Sequence, residues 1–99
     1  MNDKTNPSTD TVMILSNGKS VPRYLYISVQ DQVAQIIPAL IPGASYKLRT
    51  LCGERYWGKF SDGDKRKAGW CMTHLVDNNL LPLCFAEHIH EYPKYYRLK

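Results

Sequence analysis

No apolar run in this 99-residue chain approaches the roughly 18 residues that would span a bilayer. The polar start Met1-Asn2-Asp3-Lys4-Thr5-Asn6-Pro7 leads no basic segment into a signal-peptide core. A cytoplasmic location with no membrane partner is therefore the expectation. Cysteine is scarce: Cys52, Cys71 and Cys84 are odd in number and well spread, which makes a poor disulfide framework. No two of them stand at the two-residue spacing typical of zinc sites. Cys84 with His88 and His90 invites a metal, but Cys52 and Cys71 fall on apolar helical stripes, where a thiol behaves as a small hydrophobe. No metal site is expected. A Gly-rich phosphate loop, a nucleophile elbow and a recognisable carboxylate pair are all missing as well, so neither an enzyme nor a cofactor is expected.

What is present is ordinary globular material, with 43% hydrophobic and 22% charged residues. The length suits one domain with one modest core. Net charge is +4 and is unevenly spread. Before Ser45 the charges cancel: Lys4, Lys19 and Arg23 stand against Asp3, Asp10 and Asp31. After it, ten cations oppose six carboxylates, so the second half holds the whole excess. A basic half suggests a polyanionic partner; a charged surface kept for solubility is the other reading.

Residues 1–10 have no periodicity and read as a disordered tail, leaving 11–99 as a single domain. Asn17-Gly18, between Val12-Met13-Ile14-Leu15 and the stretch from Val21 to Ile27, is a strong hairpin signal because both residues tolerate a type I′ turn. An N-terminal hairpin over 11–27 is expected, with Pro22 confining its second strand to an edge. Ser28-Val29-Gln30-Asp31 looks like a capping box. Behind it Val29, Val33, Ile36, Ile37 and Leu40 recur at helical spacing until Pro38 kinks or ends the helix, and Pro42-Gly43 stops it. A second, short helix starts at Ser45, with Leu48, Leu51 and Cys52 as its apolar stripe and Gly53 as its C-terminal cap. Tyr56, Trp57 and Phe60 follow as packing material.

Ser61-Asp62-Gly63-Asp64 supplies another capping box, and the third helix runs to about Asp77, where Asn78-Asn79 ends it. Ala68, Cys71, Met72, Leu75 and Val76 gather on its buried face. The opposite face carries Arg66, Trp70, Thr73 and Asp77, flanked by Lys67 and His74. A tryptophan beside cations and hydrogen-bonding side chains suggests a face that touches something. From Leu80 the period becomes two. Leu81, Leu83 and Phe85 lie on one side, with Pro82, Cys84 and Ala86 on the other; residues near His88 to Pro93 turn, and Lys94 to Leu98 return. Helix-turn-helix followed by a hairpin makes an α+β winged helix: three helices plus a C-terminal β-hairpin wing, with an N-terminal hairpin extension.

The stretch Lys65-Arg66-Lys67-Ala68-Gly69-Trp70-Cys71-Met72-Thr73-His74-Leu75-Val76, then Leu81-Pro82-Leu83 and Tyr95-Tyr96-Arg97-Leu98, resembles small bacterial and phage winged helix-turn-helix DNA-binding proteins. Leu51-Cys52-Gly53-Glu54-Arg55-Tyr56-Trp57 is similar to their preceding helix, and the likeness spans roughly residues 45–98. It implies double-stranded DNA as partner, and a transcriptional regulator of a bacterium, phage or plasmid as function. In that family the helix after the turn enters the major groove and the hairpin tip lies along the backbone or minor groove. Lys65, Arg66, Lys67, Trp70, Thr73 and His74 would then face DNA, with His90 and Lys94 on the wing. Two features pull the other way. Asp62 and Asp64 would repel a phosphate at the start of the helix, and Trp70 is bulky for groove reading. The alternative is a protein–protein adaptor docking through Trp70 and exposed tyrosines, since Trp is a favoured interface anchor. The seven tyrosines read first as half-buried sheet packing; the sharper reading is a homodimer formed through the N-terminal hairpin or helix.

Overall fold

A computed structural model describes residues 11–86 and 94–99. The tail over 1–10, the turn near His88 to Pro93, and His90 with it lie outside the described residues. The described part is α+β, with helices packed between two small antiparallel sheets.

The first sheet is the hairpin expected around Asn17-Gly18, but its turn is not type I′: Gly18 has a positive φ and Asn17 does not, and Leu15 N–H donates to Lys19 O around a three-residue loop. Strand β1 (Val12–Ile14) pairs with β2 (Ser20–Pro22), Met13 opposite Val21. Gly18 turns the chain at φ +84°, and Lys19 N–H donates to Asn17 Oδ1 at 2.9 Å. The second strand is shorter than expected. Pro22 ends it, and helix α1 (Arg23–Ile36) starts at once, five residues before the Ser28 box that was expected to open it. Packing explains the difference. Leu25, Tyr26, Val29 and Val33 fall on one helical face and are all buried, so Tyr24-Leu25-Tyr26-Ile27 gains more as a helical turn than as an alternating strand. Ser28 stands inside the helix and caps nothing. Pro38 ends α1 as expected, by way of a 3₁₀ turn (Ile37–Ala39).

Ser45 does not open a helix directly. Tyr46–Lys47 form strand β3, and α2 (Leu48–Cys52) follows. Tyr46 Oη accepts a hydrogen bond from Ile41 N–H at 2.9 Å, which pins the loop that delivers β3. Leu48, Leu51 and Cys52 are buried as their spacing predicts. Gly53 caps α2 at φ +90°, a conformation that favours glycine, and the chain turns directly into the single-turn helix α3 (Glu54–Trp57). Tyr56, Trp57 and Phe60 pack on the core, with the rings of Tyr56 and Trp57 each meeting Phe60 edge-on.

Helix α4 (Asp62–Asp77) has the expected bounds. The Ser61 hydroxyl caps it by accepting from Asp64 N–H at 3.1 Å. Asn78 Nδ2 donates back to His74 O at 2.8 Å, and Asn79 leaves the helix at φ +57°. Ala68, Cys71, Met72, Leu75 and Val76 are its buried residues. They join Leu15 and Val21 of the hairpin region, the α1 face, Leu51 and Leu83 in one apolar core.

Strand β4 (Leu83–Phe85) pairs with β5 (Tyr95–Leu98), Cys84 opposite Arg97. On the far side of β5 lies β3, Lys47 opposite Tyr95, so the sheet order is β3-β5-β4. Sequence periodicity gives no sign of this third strand, because two residues are too few to show a period. No helix among the described residues is long and apolar enough to cross a membrane.

Candidate nucleic-acid interface

The outer face of α4 is divided lengthwise by what packs beside it. On one flank lies the β1–β2 turn. Ser16 N–H points at His74 Nδ1 at 3.0 Å; an amide can only donate, so Nδ1 accepts and the ring carries its proton on Nε2. The Tyr26 ring meets His74 edge-on, and Lys19 Nζ stands 4.8 Å from the centre of the Trp70 ring. His74 is thus held by the N-terminal hairpin instead of standing free beside Arg66. Trp70 is half-buried and packs against the core, so the sequence reading of an indole pointing away from it is only partly right.

On the other flank is an open groove of about 510 Å³. Helix α4 contributes Lys65, Arg66, Gly69, Trp70 and Thr73 to it. Pairing of β3 with β5 brings up the opposite side: Lys47 comes from β3, Arg49 from the start of α2, and Lys94 from the residue before β5. Trp57 and Tyr96 add aromatic surface. Five cations therefore border one groove, and among the described residues no carboxylate lines it. Aromatic contacts steady two of them: Lys47 Nζ lies 5.8 Å from the Tyr95 ring centre and Lys94 Nζ 5.2 Å from that of Phe85.

Of the residues singled out in the sequence, Lys65, Arg66, Trp70, Thr73 and Lys94 come together in this groove. Lys67 and His74 do not line it. Asp62 and Asp64, which threatened to repel a phosphate, are not in its lining either. Lys47, Arg49, Trp57 and Gly69 escaped the sequence reading. Lys47 and Arg49 appear there only as part of the basic excess, since what places them is the two-residue strand β3.

The two buried thiols, Cys52 and Cys71, are in settings that disfavour ionisation. Burial, together with the neighbouring Cys71 thiol, pushes Cys52 from the ordinary 9.0 up to about 12. Burial likewise pushes Cys71 up to about 11. Reactive cysteines need the opposite, a lowered pKa in an exposed electropositive setting. Among the described residues no three His, Cys, Asp or Glu side chains gather as a metal would require. Comparison of the chain with known protein families, curated proteins and solved structures finds no match.

Proposed function

We propose that the chain is a winged-helix domain that binds duplex DNA along the outer side of α4, in the role of a transcriptional regulator. The order of elements supports the architecture: α1, β3, α2 with α3, α4, then the β4–β5 pair, with β3 joining the pair's sheet. This order is compatible with a helix-turn-helix followed by a hairpin, in which α4 would serve as the recognition helix.

The observation that carries the DNA reading is the groove bordered by Lys47, Arg49, Lys65, Arg66 and Lys94, with no carboxylate in its lining among the described residues. Cations concentrated in one concave surface focus potential there and draw in a polyanion. Arg66, exposed on the outer stripe of α4, has the reach and the donor geometry for guanine O6 and N7 or for a phosphate. Thr73 offers a hydroxyl and a methyl two turns further along the same face. Half-burial under Lys19 makes Trp70 a poorer anchor for a protein partner than an exposed indole, which favours DNA over the adaptor reading.

The test is fluorescence anisotropy of a labelled random-sequence duplex at low salt. Binding weakened by Arg66→Ala supports the reading, with a loss of about 1–3 kcal/mol on a preferred site if the contact is bidentate. No binding at low salt would sink it, and a protein partner retained through Trp70 would favour the adaptor.

A further inference from the structure

Gly69 stands in the interior of α4, where glycine is the poorest helix former after proline. Its φ is not among the positive ones, so the backbone does not require glycine there. Among the described residues packing does not require it either: beyond its chain neighbours and the nearby backbone of its own helix, a Cβ built on Gly69 meets no atom within 4 Å. Alanine would fit and would strengthen the helix. Yet this position lines the cationic groove, between Lys65 and Arg66 on one side and Trp70 and Thr73 on the other.

We infer that Gly69 is the seat of a nucleic-acid sugar–phosphate backbone, which lies in the groove directly against α4. This rests on the DNA reading above and says which part of the nucleic acid the groove takes. A residue without a side chain reads no base edge; what it does is admit something bulky close to the helix axis. Backbone N–H groups in mid-helix are already bonded within the helix, so Gly69 offers no donor to a phosphate. The group that fits over it is the deoxyribose, an uncharged ring that packs on the Gly69 Cα and the Trp70 edge. The phosphates on either side of that sugar then reach Lys65 and Arg66 from α4, and Lys47 and Arg49 from across the groove. Such a contact sets register on the strand without reading sequence.

Three proteins test it: wild type, Gly69→Ala, and Gly63→Ala as a control in the same helix. Gly63 lies in the first turn, outside the groove lining, and a Cβ there comes no closer than 3.9 Å to the Ser61 hydroxyl. Each is melted and titrated with several labelled duplexes of unrelated sequence at low salt. We expect Gly69→Ala to melt at or above wild type and to bind every duplex at least roughly tenfold more weakly, because a methyl group occupies the sugar's seat. Gly63→Ala binds as wild type does. Gly69→Ser, small but polar, gives a second point and is expected to weaken binding in the same direction. Wild-type affinity in Gly69→Ala overturns the inference while leaving DNA binding intact. So does a Gly69→Ala protein that melts below wild type, which would assign the glycine to the fold. Absence of duplex binding by wild type itself overturns the DNA reading and this inference with it.

Discussion

Arg66 and Cys52 mark the two environments in which single residues of this chain work. Arg66 is exposed at the border of a groove of like charges, where it has no packing role, so Arg66→Ala is expected to leave the melting temperature nearly unchanged while weakening duplex binding. A melt and a titration on one preparation check both halves. Cys52 is the reverse case, wholly committed to the core. Its thiol ionises at about 12 in the folded chain against 9.0 ordinarily. Between those values the unfolded chain binds fewer protons than the folded one, so stability falls as pH rises. Cys71 adds to the fall between 9.0 and about 11. Urea unfolding at about pH 8 and about pH 10 is expected to show this loss, and Cys52→Ala with Cys71→Ala to flatten it. An equally steep fall in the double variant would mean that other groups set the alkaline limit.

At the scale of elements, α4 holds the domain together and also borders the groove. Leu75 is fully buried on its inner face, and Leu75→Ala is expected to cost about 2–5 kcal/mol in urea unfolding. The N-terminal hairpin is clamped to the same helix through His74. His74→Ala removes the acceptor for Ser16 N–H, which is exposed and can turn to water, so the cost is only about 1 kcal/mol. Faster hydrogen exchange at the Ser16 amide is the more direct sign, and unchanged exchange there would show that the hairpin is held without His74, by Leu15 and Val21 in the core and by Lys19 on Trp70. These elements were unequally legible in the sequence. Helix α4 has a cap, a five-residue apolar stripe and an Asn-Asn stop that all agree, and its bounds follow from them. The start of α1 did not, because Tyr24 to Ile27 are apolar or aromatic at every position and carry no period, while Ser28-x-x-Asp31 imitates a cap inside a helix. Strand β3 had no local signal at all, since only its pairing with β5 makes Tyr46–Lys47 a strand. Half of the groove was hidden for that reason: Lys65, Arg66, Trp70 and Thr73 lie on one helix and share a visible spacing, whereas Lys47 and Arg49 reach them only through the sheet.

For the whole molecule the question is where its +4 net charge acts. The excess lies in the second half of the sequence, and the fold concentrates five of those cations on one groove. Charge gathered in this way has a thermodynamic signature that a dispersed solubilising surface lacks, because each phosphate neutralised releases about one counterion. The most direct measurement is therefore the dependence of duplex affinity on salt, taken for wild type and for the Lys65→Ala, Arg66→Ala double variant. Wild type is expected to lose affinity linearly in log salt, and the double variant to bind more weakly with a slope shallower by about 2. A duplex affinity independent of salt, or a slope unchanged by the double substitution, would contradict a nucleic-acid groove on α4.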